Sequence, residues 1–362
     1  MENTSPSPTR QNSFSDFFKG NRGILITILL LGLLPFILAL FDGQPISSLL
    51  ANDPGKSKFY QGLAIEIFIL AIYALSYDLL LGITGLLSFG HAMFFGVGAY
   101  LTGIMLKSFG WSLLPILGLV AVAGVVMALI FSIVLPRVKG ITFALVTLGI
   151  AQVFYIVIQS RELVNYAGAE IGLQGVTPPE FLNPISHRLR FYYIGLVAVF
   201  VVYFILKRFV DSPTGHVCVA IRENEDRATM LGYNTFYFKL AALMLSGIVA
   251  ALAGAMHGLF SPIIRPGIAS SHYTIAVLLM ILMGGIGTLD GALIGAATFR
   301  LLSFWLEKWF GGASQVIIGL VYILLVLFLP YGIVGTWKLR GYKVKQGWVD
   351  LIERFTGKKQ ET

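Results

Sequence analysis

The sequence predicts an all-α polytopic membrane protein of about ten transmembrane helices, within a range of 8–10. Apolar residues dominate, charges are scarce, and the apolar residues gather in long runs. Of 362 residues 56% are hydrophobic and 12% charged, about half the roughly 25% charged content of soluble domains. Mean hydropathy is +0.81. The run "ILITILLLGLLPFILALF", residues 24–41, carries no charge. At ~1.5 Å per residue it extends ~27 Å, close to the ~30 Å of a hydrocarbon core.

The first 23 residues are polar, with Pro6 and Pro8, and read as a tail. The run that follows is too long for a cleavable leader and no small-residue cleavage site succeeds it. Apolar spans are expected at 24–41, 63–81, 86–106, 112–135, 141–159, 191–206, 240–260, 272–283, 289–306 and 314–329. The domain reading is a cytoplasmic tail 1–23, a membrane domain 24–335 that includes a cytoplasmic segment 211–238, and a basic cytoplasmic tail 336–362. Net charge is +8, but the placement of Lys and Arg among loops decides orientation, so the basic sum does not point to nucleic acid. With Arg10, Lys19 and Arg22 inside, "PRVKG" at 136–140, the stretch Lys207 to Lys239 and the final "KLRGYKVKQG" also fall inside. The loop from Ser160 to Arg190 is then outside, although Arg161, Arg188 and Arg190 make it the least comfortable fit.

Two glycine-rich breaks, Gly82 to Gly98 and Gly284 to Gly295, interrupt the apolar pattern and point to two related halves. Interrupted segments in both halves of a transporter mark the substrate route. In "GITGLLSFGHAMFFGVGAY" the glycines allow turns and close approach, and irregular backbone at membrane depth survives only if buried in protein or lining a wet cavity. A translocation path lined by Gly85, Ser88, Gly90, His91, Gly96 and Gly98, with Gly284, Gly285 and Gly287 from the later break, is favoured over close helix packing. By contrast, Ser246, Ala250, Gly254 and Gly258 recur every four residues and make a packing strip, as do Gly291 and Gly295. Ionisable residues at depth are Glu66, Asp78, His91, His257, Asp290 and Arg300. Glu66 and His91 lie deepest, and for each a transport role and a structural hydrogen bond fit equally.

In the cytoplasmic segment, Ser212 and Pro213 start a helix and Gly232 stops it. Val217, Ile221, Ala228 and Leu231 share one face, interrupted by Asn224. The mixed charges elsewhere fit a protein partner better than a lipid surface. No internal engine is visible. "PGKSK" at 54–58 lacks the phosphate loop's first glycine, whose place is Leu50. Five histidines and Cys218 offer no metal-ligand spacing or disulfide framework, and no nucleophile–base motif occurs. No metal or cofactor is expected on this chain. Energy for uphill transport must come from an ion gradient or another subunit.

Four stretches resemble the permeases of branched-chain amino-acid ABC importers, LivM type. They are "GLLSFGHAMFFGVGAY" (85–100), "GHVCVAIRENEDRATMLGYN" (215–234), "YFKLAALMLSGIVAALAGAMHG" and "MGGIGTLDGALIGA", and the likeness runs from about residue 62 to 335. It implies a multi-pass protein of the bacterial cytoplasmic membrane with both termini inside. It also implies a second, related permease subunit, two cytoplasmic ATPases that use ATP, and an extracytoplasmic binding protein. Against the E-A-A-x-x-x-G docking pattern of ABC permeases, Asp226, Arg227, Ala228 and Gly232 keep only the second alanine and the glycine. The implied coupling residues are Arg222, Glu223, Glu225, Asp226, Arg227, Ala228 and Gly232. A urea or short-amide importer permease is the alternative within this class. An ion-coupled secondary transporter, with Glu66 and His91 titrating, is the alternative from another.

Overall fold

The computed structural model describes residues 22–41, 55–328 and 331–337. The chain divides into two units, Met1–Gln61 and Gly62–Thr362. In the first, helix α1 (Arg22–Phe41) carries Pro35 within an apolar sequence, and helix α2 (Lys56–Tyr77) begins. The expected N-terminal tail with Arg10 and Lys19 lies outside the described residues, as does the C-terminal tail from residue 338.

In the second unit α2 continues into a π-helical turn, Asp78–Ile83. Then come α3 (His91–Phe109), α4 (Leu113–Ser132), α5 (Ile141–Ile158) and α6 (Arg188–Val210). Two short helices, α7 (Pro213–Glu223) and α8 (Glu225–Met230), precede α9 (Thr235–Phe260), α10 (Ser271–Gly284), α11 (Leu289–Phe310) and α12 (Ser314–Phe328). A two-residue antiparallel ribbon pairs β1 (Leu173–Gln174) with β2 (Ile263–Ile264).

The expected count of ten spans is not reached among the described residues: seven helical stretches are long and apolar enough to cross a membrane. The last of these, Leu289–Leu325, is two helices. The rings of Phe299 and Tyr322 lie 6.3 Å apart, whereas one straight helix would separate them by ~34 Å. Gly311, at φ 53°, turns α11 back into α12 as a hairpin. Two expected spans depart: 24–41, of which Thr27–Phe41 counts only as a shorter apolar helix, and 272–283, because α10 has 14 residues, or ~21 Å, too few to cross. The expected span 86–106 also starts late, since 85–88 are irregular and α3 begins at His91.

Both short starts have one cause. After the π turn the chain doubles back through residues 84–90 and begins α3 beside Ser76, whose hydroxyl meets His91 Nε2 at 2.9 Å. After α9 it doubles back through 261–270, which includes the 3-10 turn Pro266–Ala269, and begins α10 beside the same place. The Ala92 N–H donates to Thr274 Oγ1 at 3.0 Å, and Tyr273 stacks on Tyr73 at 5.5 Å. The helices that lead into the two breaks run in opposite directions. The π turn of α2 reaches Arg222 of the cytoplasmic segment, whereas α9 leaves that segment and ends at Phe260, under Arg188 at the far end of α6. Gly284 to Gly287, part of the later expected break, form a turn between α10 and α11 at the end where Arg222 lies.

Close backbone contact holds α3 and α10 in place. A Cβ on Gly98 of α3 would collide with the Ala251 carbonyl of α9, and one on Gly254 with the Phe95 carbonyl. The Ser246 hydroxyl donates to the Ser76 carbonyl at 2.7 Å. The strip of small residues on α9 is therefore a packing face, as its spacing predicts. Gly295 and Gly291 do the same between α11 and α10. At the opposite membrane face Trp305 and Trp309 pack 5.4 Å apart with Lys308 over Trp305, an interfacial arrangement.

Gly98→Val should therefore destabilise the protein by ~1–3 kcal/mol or more through overpacking. Gly118→Ala, where an added Cβ meets nothing within 4 Å, should hold or slightly raise the melting temperature of the purified protein, since alanine favours a helix interior over glycine. Equal melting temperatures for the two variants would contradict this packing.

Candidate functional site

The segment 211–238, expected to be cytoplasmic, starts as its sequence predicts. Ser212 Oγ accepts from the Gly215 N–H at 3.2 Å and Pro213 occupies the first turn of α7. Gly232, at φ 88°, ends the segment. The expected single helix is instead broken at Asn224, which is extended and whose side-chain oxygen caps α8 through the Arg227 N–H at 2.9 Å. The break resets the helical count, so the expected apolar face does not carry across it. Cys218, Ile221 and Ala228 are buried, but Leu231 is 73% exposed and its neighbour Met230 86%. Burial pushes the Cys218 thiol up to about 11.

Arg222 is partly exposed, with Glu223 beside it at 3.5 Å, and also reaches back to the π turn. Its guanidinium donates to the Gly82 carbonyl at the end of the π turn, and its stem lies over Gly85, whose φ of 76° permits the close approach. Asp78, on the same π turn, accepts from the Gly287 N–H at 2.7 Å. A Cβ on Gly287 would sit 2.8 Å from the Arg222 guanidinium. One arginine thus touches the end of α2, the first break and the α10–α11 turn. A π turn adds a residue to the helical loop and recurs at functional sites; here it puts Asp78 and Gly82 on one surface.

Glu225 is a second internal tether. It accepts from Lys239 at 2.5 Å and from Thr235 at 3.0 Å, both on α9. Burial alone would raise its carboxyl, but the Lys239 and Thr235 hydrogen bonds and the nearby Lys139 charge outweigh that and hold it below the usual range. Lys139 also reaches Asp226 at 3.1 Å, an exposed pair of little energetic weight. This contact sets 136–140 beside the cytoplasmic segment, as the charge distribution predicts. Of the coupling residues implied by resemblance, Ala228 is buried and Glu225 half-buried, Arg222 is exposed but reaches back to Gly82, and Glu223, Asp226 and Arg227 are exposed beside Met230 and Leu231.

The expected path residues separate into groups. His91 is fully buried, stacked on Tyr73 at 5.5 Å and bonded to Ser76. Tyr77 donates to the Ser88 carbonyl at 3.0 Å. Gly90 packs on the Thr147 carbonyl and Gly96 on Ala269. Gly85, Gly284, Gly285 and Gly287 cluster at the cytoplasmic-segment end. None of these lines the large cavity of about 880 Å³ between α2, α10, α11 and α12, which Glu66 does line. There Glu66 accepts from Arg300 Nε at 2.6 Å. Arg300 and Asp78 were visible in the sequence as charges at depth, yet their partners lie more than two hundred residues away.

The family described as "Branched-chain amino acid transport system / permease component" matches residues 59–329, three quarters of the chain. The chain belongs to this family. Curated relatives include the high-affinity branched-chain amino acid transport system permease protein LivM of Escherichia coli strain K12, 24% identical over 75% of this chain and 69% of that protein. LivH of the same strain is 26% identical over 73% of this chain and 91% of its own length. BraD of Pseudomonas aeruginosa is also 26% identical, over 73% and 91%. No solved structure matches the chain significantly. The permease-family match covers both breaks, the cytoplasmic segment and the cavity.

Two substitutions separate the tethers of this permease. Asp78→Ala strips the Gly287 N–H of its acceptor and should cost about 1–3 kcal/mol, read as a lower melting temperature. For Glu225 the folded carboxyl is depressed, so its contribution is present above the unfolded carboxylate range and is lost as pH falls through the folded value. The stability advantage of the wild type over Glu225→Gln should accordingly be full at neutral pH and vanish in acid. An advantage that grows on acidification would refute the tether.

Proposed function

We propose that the protein is the permease subunit of an ATP-binding-cassette importer for branched-chain or similar neutral amino acids. It would lie in the bacterial cytoplasmic membrane with both termini inside. ATP hydrolysis belongs to two partner ATPases, and this chain binds no cofactor. A second, related permease completes the membrane unit, and an extracytoplasmic binding protein delivers the solute. That the E. coli LivM and LivH relatives carry the name of one transport system supports the pairing.

The observation that carries this reading is the reach of Arg222. An ATPase seated on the exposed Met230–Leu231 tip and on Glu223, Asp226 and Arg227 would displace α7 and α8 together, because only Asn224 separates the two helices. Arg222 would pass that displacement to the π turn of α2 and to the α10–α11 turn, one from each half. Opposed movement of two halves around a central route is alternating access. An ion-driven mechanism fits less well, since His91 is sealed in an aromatic stack and Glu66 is neutralised by Arg300.

Reconstituted with its partners in vesicles, the complex should take up leucine only with ATP and regardless of an uncoupler. Arg222→Ala should keep the ATPases bound but lower uptake per ATP hydrolysed by about tenfold, within the usual range of coupling energies. Met230→Asp with Leu231→Asp should release the ATPases. Uphill uptake by the isolated chain would defeat the whole reading.

A further inference from the structure

Glu66 and Arg300 meet inside the membrane from α2 and α11, 234 residues apart in sequence. An ion pair at depth is a costly way to join two helices, because apolar side chains of similar size would do so at no desolvation cost. It is also not sealed: the Glu66 side chain is 38% exposed and that of Arg300 23%. What both face is the cavity of about 880 Å³, a size suited to small-molecule sites. Its wall includes an apolar part, Ile69 and Leu70 of α2 with Ile275 and Leu279 of α10. The other titratable groups on its walls are His257, His272, Tyr273 and Glu307.

An opposed carboxylate and guanidinium beside an apolar wall match one kind of small solute. A lone cation or anion would satisfy one partner and strand the other, leaving a buried unpaired charge. An uncharged amide or urea would gain little from parting them. A zwitterion exchanges one charge pair for two, and the guanidinium fork suits a carboxylate.

We propose that Glu66 and Arg300 form a binding site for the head of a free α-amino acid, with its ammonium on Glu66, its carboxylate on Arg300 and its apolar side chain on the Ile69–Leu279 wall. The site rests on the importer reading and narrows it, since it favours amino acids over urea and short amides. In the importer, Glu66→Gln and Arg300→Gln should each weaken leucine binding and uptake by about tenfold or more, the worth of a charged hydrogen bond.

The test uses the complete complex, with partner permease, ATPases and binding protein, in vesicles for uptake and in nanodiscs without the binding protein for binding. Radiolabelled leucine is the probe; isoamylamine and 4-methylpentanoate, each keeping one charged end, are competitors. Isoamylamine should lose its competition in Glu66→Gln and keep it in Arg300→Gln, and 4-methylpentanoate should do the reverse. A merely structural pair predicts otherwise: the charge-swapped double variant, Glu66→Arg with Arg300→Glu, would restore assembly and leucine uptake together. That restoration would overturn the site, as would single variants that assemble and import leucine at the wild-type rate. A wild-type complex that imports urea or acetamide but not leucine would instead overturn the importer reading itself.

Discussion

A helix interrupted inside a membrane survives only where protein takes up the backbone groups the interruption frees. The hydrogen bond from the Ala92 N–H to the Thr274 hydroxyl meets that demand for one freed amide of α3 and joins the first turns of α3 and α10. Around it the Tyr73, Phe95 and Tyr273 rings close the space, and Ser76 holds His91. The full-length α3 and the shorter α10 thus start side by side. The cost falls on their neighbours, since α3 must press so tightly on α9 that only hydrogen fits at Gly98 and Gly254.

The same economy governs the cytoplasmic-segment end. Arg222 binds a main-chain carbonyl and Asp78 a main-chain amide, both at glycines. Groups fixed to the backbone move with whole elements rather than with single rotamers. That suits the junction to the coupling role proposed for it, with α3 and α9 packed backbone to backbone behind it.

Local features could be read in the sequence. Ser212, Pro213 and Gly232 bound the cytoplasmic segment because caps and stops act within a turn or two. The α9 strip could be read because its spacing is itself the contact surface. The break at Asn224 could not, since an asparagine suits a helix face badly but also suits a cap, and only the Arg227 N–H decides between them. Residues 261–270 looked like an ordinary loop despite Pro262, Pro266 and Gly267, because apolar runs report composition and not depth. The glycines of the opening break invited a path, yet a glycine that lines a channel and one that admits a neighbouring carbonyl are spelled alike. Long-range pairs such as Glu66 with Arg300 leave no local trace at all.

Cys218 closes against the Phe238 carbonyl under α7, with its thiol raised far above neutrality by burial. The sole sulfhydryl of the chain is thereby silent to alkylating dyes and spin labels at ordinary pH. Reporter cysteines placed on α3 and α10 can consequently follow the relative motion of the two halves spectroscopically, against a natural background that needs no removal.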